Sequence, residues 1–170
     1  MDILIRTALD EDLDAAGEVT VEAFVGDGHT PPGAEYVTLL RDARRRAAEA
    51  ELLVAVDPAD TSRGPAGRVL GCVTFAVGGT EWADIATPQE GEIRMLAAAA
   101  DARGRGVGES LVRACVARSR ELGLTGMAFS TRPAMSAAHR IYERVGFLRT
   151  PERDWRPRPD IELWVYSLTF

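Results

Sequence analysis

The stretch Glu92–Leu111, EIRMLAAAADARGRGVGESL, constrains this chain more than any other: it reads as a strand, a glycine-rich turn and the first turn of a helix. Arg103-Gly104-Arg105-Gly106-Val107-Gly108 places three glycines where a backbone without Cβ atoms takes positive φ and turns its amides inward. Such a turn makes a socket for an anion. A helix beginning near Gly108 adds unpaired amides and the positive end of its dipole, while Arg103 and Arg105 add charge beside them. The guest that fits these features is a diphosphate.

Two familiar phosphate loops do not match. A dinucleotide fingerprint needs a third glycine three residues after the second, but Gly104-x-Gly106 is followed there by Glu109, and Gly106-x-Gly108 by Leu111. A nucleoside-triphosphate loop closes with Gly-Lys-Ser/Thr, which this sequence lacks. What remains is Arg-x-x-Gly-x-Gly, held by Arg103, Gly106 and Gly108, a pattern that plain surface turns rich in glycine and arginine also produce.

A chain of 170 residues is expected to form one domain, 1–170, with a core that needs no staples. Hydrophobic residues at 46% and charged residues at 27% suit a soluble globular protein, and no apolar run approaches the roughly 18 residues that span a bilayer. The start, MDILIRTALDED, has no basic segment leading into an apolar one, so a cytoplasmic location with no membrane partner is expected. Cys72 and Cys115 are too far apart for a redox or zinc motif and are read as core thiols. No metal constellation is apparent, and His29 and His139 are read as surface residues. A net charge of −6 argues against a nucleic-acid partner and is compatible with a cationic amine.

Taken in order, Ile3–Arg6 is a strand and Asp10 or Asp12 caps a helix carrying Leu13, Ala16, Val19 and Ala23. Gly26–Gly33 is dense in breakers and reads as a loop before a helix over Ala34–Ala50, on which Arg44-Arg45-Arg46 is a solvated face. Strands Leu52–Val56 and Val69–Val77 flank a turn at Asp60–Gly67, and Thr80–Gln89 is a loop before the strand Glu90–Ala98. A helix over Glu109–Leu122 stops at Gly123. The strand Met127–Thr131 follows, then a helix from Pro133 through Val145 stopped by Gly146. Phe147-Leu148 is extended, Thr150–Asp160 is a loop with three prolines, and Ile161–Leu168 is the closing strand. An edge strand and the C-terminal strand offer surfaces on which two copies could pair as a homodimer.

The glycine turn resembles the acyl-CoA pyrophosphate loop of the GNAT superfamily of N-acetyltransferases. The order β-α-α-β-β-β-α-β-α-β-β resembles the superfamily's arrangement over nearly the whole chain, and Ala138-x-x-x-Tyr142-x-x-x-Gly146-Phe147 is similar to its helix-and-turn signature after the fifth strand. One position departs: many members carry Asn seven residues before the tyrosine, where this chain has Met135. The resemblance implies an α/β fold with a central mixed, mostly antiparallel sheet splayed between its fourth and fifth strands and flanked by helices. It implies acetyl-CoA as co-substrate, with the acetyl group passing directly to a primary amine of a small molecule or a peptide or protein terminus. The alternative is a non-catalytic acyl-CoA sensor or regulatory domain.

Residue by residue, the resemblance puts the cofactor on Arg103, Gly104, Arg105, Gly106, Val107, Gly108, Glu109 and Ser110. Backbone along Leu96, Ala97 and Ala98 faces the pantetheine arm, and Met135 and Ala138 lie on the helix beside it. The small run Ala97–Ala100 suits close ligand approach, and equally a tightly packed strand. Glu92 stands where some protein-acetylating members carry a general base; its other reading is a solvated strand-end carboxylate, with Glu90 as a second candidate. Tyr142 is the candidate acid for the departing thiolate, since a phenol titrating near 10 donates to a thiolate without being lost at neutral pH. Acceptor choice falls to the loops Gly26–Gly33, Thr80–Gln89 and Thr150–Asp160, where Asp154 and Trp155 form either part of an amine pocket or plain packing.

Overall fold

The computed structural model describes residues 2–170. Two compact units are present, one made of the chain up to Thr74 with Met95–Leu111, the other of Phe75–Arg94 with Val112–Phe170.

In the first unit β1 (Leu4–Thr7) runs antiparallel to β2 (Glu51–Asp57), with Leu4 opposite Val56 and Thr7 opposite Leu53. Leu52–Val56 is buried throughout, as an unbroken apolar strand covered on both faces should be. The order continues to β3 (Arg68–Val77) and β4 (Glu90–Ala98). A 3-10 turn at Asp10–Asp12 feeds α1 (Leu13–Gly26), whose Leu13 and Ala16 join Ala43, Leu52, Val54, Val56, Val69 and Cys72 in one apolar cluster. Asp12 is buried, paired with Arg6, and accepts the Leu9 N–H at 2.7 Å.

The helix expected over Ala34–Ala50 is two short ones, α2 (Tyr36–Arg41) and α3 (Ala43–Glu49), because the chain bends at Asp42, where ψ is 65°. Asp42 favours the cap over the helix interior, and its carboxylate accepts the Arg45 N–H at 3.0 Å. The arginine run is not one solvated face either. Arg46 has no exposed surface: Nη1 donates to Thr74 Oγ1 at 3.0 Å, and Nη2 to Thr20 Oγ1 at 3.2 Å and to the Leu40 carbonyl at 2.9 Å. The end of α2 leaves carbonyls without helical partners, and this side chain takes one of them.

In the second unit the strand order is β3, β4, β5 (Gly126–Thr131), β8 (Ile161–Thr169) and β6 (Leu148–Arg149), with β7 (Trp155–Arg158) on β8. β5 is parallel to β4, and β8 is antiparallel to β5, β6 and β7, so the sheet is mixed. The helices are α4 (Val107–Glu121), whose residues up to Leu111 belong to the first unit, and α5 (Ser136–Val145). The segment Thr150–Asp160 is not all loop: it holds a 3-10 turn at Pro151–Arg153 and strand β7. Pro157 sits within β7, a position that a strand at the margin of a sheet tolerates because the missing N–H need not enter a ladder. Among the described residues no helix is long and apolar enough to cross a membrane.

Close backbone approach fixes one glycine in the first unit. A Cβ on Gly71 would stand 2.7 Å from the Ala97 carbonyl oxygen and 2.7 Å from Val107 Cγ1. Gly71→Ala is therefore expected to lower stability by about 1–3 kcal/mol, read as a shift of the urea midpoint without a change of slope.

Candidate functional site

Strand β4 ends at Ala98, and a 3-10 turn at Ala100–Ala102 hands the chain to Arg103. Helix α4 begins at Val107, two residues earlier than its apolar periodicity indicates, with the Ser110 N–H closing on the Gly106 carbonyl at 3.0 Å. Gly108 therefore belongs to the helix and not to the turn. The left-handed residues are Gly104 (φ 78°) and Gly106 (φ 80°), and a Cβ added to either would meet no atom within 4 Å. The space in front of the turn is open. The first amides of α4 lie beyond the reach of an i−4 carbonyl, and Val107, 2% exposed, anchors the helix start in the core. A diphosphate fits this loop on its own chemistry, with a helix N-terminus and two left-handed glycines whose missing side chains leave space.

Neither arginine of the turn stands alone. Arg103 Nη1 and Nη2 donate to Asp27 Oδ1 and Oδ2 at 3.0 and 2.9 Å, and Arg105 Nη2 lies 3.9 Å from Asp57 Oδ2. Just upstream, Arg68 grips Asp101 with bonds of 2.6 and 2.7 Å, which hold the Asp101 carboxyl below its ordinary value.

Between the buried Met95 and Ala97, Leu96 is half-buried, and Ala98 is half-buried as well. Met95 has φ 54°, a left-handed conformation that costs a non-glycine residue about 1 kcal/mol or more and so marks a bend imposed on β4. The first unit thus gathers Leu96, Ala97, Ala98 and the turn from Arg103 to Ser110 on consecutive backbone.

The second unit holds Glu92, Met135, Ala138 and Tyr142. The parallel ladder of β4 and β5 runs from Glu90 opposite Gly126 to Glu92 opposite Ala128. Glu92 is 1% exposed and not a solvated strand-end group. Its Oε1 accepts the Ile85 and Ala86 N–H groups at 2.8 Å each and its Oε2 the Asp84 N–H at 3.0 Å. Burial pushes this carboxyl above its ordinary value, against the pull of the three amides. Glu90 faces Arg153, which donates to both of its oxygens at 3.0 Å. Burial raises its carboxyl, but Arg153 and the Thr87 N–H hold it below the ordinary range.

Tyr142 lies on α5 at 5% exposure, its ring 3.9 Å from that of Phe129 and 6.1 Å from those of Phe147 and Tyr166. Burial drives its hydroxyl far above the usual phenol range, so the group is a proton donor at any working pH. Met135 precedes α5, and its sulfur accepts the Thr131 hydroxyl at 3.5 Å; Ala138 is half-buried on the first turn. Asp154 is no amine receptor: Arg149 donates to both its oxygens at 2.7 and 2.6 Å, and it also accepts the Val165 N–H at 2.9 Å. Trp155 Nε1 donates to Ser130 Oγ at 2.8 Å.

His139, expected on the surface, is 8% exposed. Its Nε2 lies 3.1 Å from the Arg132 carbonyl and 3.2 Å from Thr131 Oγ1, and its ring packs on Tyr166 and Trp164. A carbonyl only accepts, so Nε2 carries the proton. The signal was in the sequence: His139 precedes Tyr142 by three residues and shares its helical face. Cys72 and Cys115 are both buried, and neither is in a disulfide.

The model of the acetyltransferase (GNAT) family matches residues 18–147, and the chain belongs to that family. Mycothiol acetyltransferase from Propionibacterium freudenreichii subsp. shermanii is 32% identical over 146 residues, 81% of this chain and 40% of that enzyme. The chain thus matches less than half the length of that relative. Among solved structures, a GNAT-family acetyltransferase from Staphylococcus aureus Mu50 superposes with a TM-score of 0.72 at 11% identity, over 98% of this chain and 99% of that one. The PaiA N-acetyltransferase from Thermoplasma acidophilum, in complex with coenzyme A, gives 0.71 at 15% identity over 100% of both chains. A GNAT-family acetyltransferase from Brucella melitensis, in complex with acetyl-CoA, gives 0.63 at 21% over 99% of this chain and 88% of that one. These likenesses show the α/β fold with its mixed sheet.

The pH dependence of His139 has a definite sign. Burial lowers its folded value below 6.5, with Arg149 acting the same way and the Arg132 carbonyl and Glu143 opposing. The unfolded chain binds the proton first, so stability is fullest above about pH 6.5 and falls as pH drops through the folded value. Between about pH 7.5 and pH 5 the unfolding free energy of the wild type is expected to fall more steeply than that of His139→Gln, measured by denaturant titration at each pH.

Proposed function

We propose that this protein moves the acetyl group of acetyl-CoA directly to a primary amine of a small molecule or of a peptide or protein terminus. The observation that carries the reading is the strand-to-helix turn. Gly104 and Gly106 are left-handed with open space before them, at the start of a 15-residue helix, in a chain of the GNAT family. The name of the mycothiol acetyltransferase relative agrees with acetyl transfer as the reaction.

Acetyl-CoA supplies the thioester to be attacked. The amides of Gly104, Gly106, Val107, Gly108 and Glu109, with Arg103, Arg105 and the Ser110 side chain, would hold its diphosphate. Backbone amides of Leu96 and Ala98 would polarise the acetyl carbonyl, in the part of β4 that Met95 bends. Tyr142 would give its proton to the leaving sulfur; burial keeps the phenol protonated and also makes it a weaker acid, so the transfer requires the departing thiolate within hydrogen-bond reach of its hydroxyl. Met135 and Ala138 would line the cofactor arm, with the thioether standing where relatives use an amide. Glu92 enters mainly as a brace: its three amide bonds fix the start of β4 against Asp84–Ala86. For it to act as base, water would have to reach the acceptor site that Oε2 has left beside the Asp84 N–H. An alkylamine acceptor is neutral in only about one molecule in a thousand at pH 7, so proton removal through water is part of the step.

Release of free thiol from acetyl-CoA, followed over a panel of primary amines, tests this reading. At least one amine is expected to accelerate release, and Tyr142→Phe is expected to lower turnover by about tenfold or more with coenzyme A affinity nearly intact. Saturable coenzyme A uptake without acceleration by any amine would instead identify a non-catalytic acyl-CoA sensor.

A further inference from the structure

Asp27 is placed where its own helix does not want it. It follows Gly26 at the C-terminus of α1, the negative end of the helix dipole, and the last turn of α1 holds no basic residue. Its counter-charge comes from the glycine turn, where the Arg103 guanidinium meets both carboxylate oxygens at 3.0 and 2.9 Å. The segment beyond Asp27 folds back on α1 through backbone bonds: Gly28 N–H to the Val25 carbonyl at 3.0 Å, and His29 and Thr30 N–H to the Phe24 carbonyl at 2.9 and 3.1 Å. The Arg103–Asp27 pair is thus a side-chain tie from that segment to the turn.

The pair spends both terminal nitrogens of Arg103 on a carboxylate, so a phosphate oxygen that takes the same fork must displace it. The pair is weak enough to lose. Its side chains are 46% and 38% exposed, and exposed ion pairs contribute little, whereas a diphosphate brings more charge and also meets the backbone amides.

We propose that Asp27 and the cofactor's diphosphate compete for Arg103, so that filling the turn releases the Gly26–Gly33 segment and frees the Asp27 carboxylate beside it. This rests on the functional reading above. Asp27 then sets cofactor affinity without touching the cofactor, and its release ties cofactor entry to a change in a loop that the sequence marks for acceptor choice.

Calorimetric titration with coenzyme A is the test, on wild type, Asp27→Asn and Glu22→Gln, the last removing a charge from an exposed site on the same helix. Asp27→Asn is expected to bind about two- to fivefold tighter, the range an exposed ion pair accounts for, with Glu22→Gln unchanged. In parallel, hydrogen exchange of residues 26–33 should rise when coenzyme A is added to wild type and show no further rise in Asp27→Asn. Normal wild-type uptake with equal or weaker binding by Asp27→Asn, or with 26–33 slowed by coenzyme A, overturns the competition alone. A wild type that takes up no coenzyme A overturns the functional reading and this proposal together.

Discussion

The first amides of a helix have no carbonyl of their own helix to turn to, and this one shortage shapes the site region of the first unit. Strand β4 must end and α4 must begin within nine residues, and the connection is made with a 3-10 turn and two left-handed glycines. The result is a turn in which Gly104 and Gly106 leave the space a side chain would fill. Positive charge beside such donors would repel them if left bare. Arg103 and Arg105 each face an aspartate, and just upstream Asp101 takes Arg68, so the charges around the turn are paired.

The second unit follows a related economy. Carboxylates that look available for chemistry are used to hold backbone in place: Glu92 collects three amides, Asp154 takes Arg149 and the Val165 N–H, and Glu90 takes Arg153 and Thr87. Each of these three carboxylates is met by donors, as a low-dielectric surrounding demands. Tyr142 is treated differently. Its ring is packed among aromatic rings, and burial disfavours a phenolate, so the hydroxyl stays protonated.

Much of this was legible in the residues. The strand, turn and helix around Arg103–Gly108 emerge where the glycines and the apolar spacing put them, and Gly123 and Gly146, both left-handed, follow the helices they were expected to stop. The misreadings share a cause, which is that a side chain's partner lies far away in sequence. Arg46 looked solvated beside two other arginines, yet it finds Thr20, Leu40 and Thr74. For Glu92 it is the alternative reading, a solvated strand end, that fails, because its amide donors come from a loop without regular pattern. His139 was judged alone although its helical face is shared with Tyr142. Asp42 was passed over because one capping residue inside an otherwise helical stretch changes periodicity very little.

The central claim is that the Arg103–Ser110 turn recognises a diphosphate. The most direct measurement compares calorimetric binding of coenzyme A with that of pantetheine, which carries the same thiol arm and no diphosphate. Two charge-assisted bonds to the turn correspond to an affinity ratio of about 100 or more in favour of coenzyme A. Equal affinity for the two compounds would show that the turn does not hold phosphate and would contradict the account.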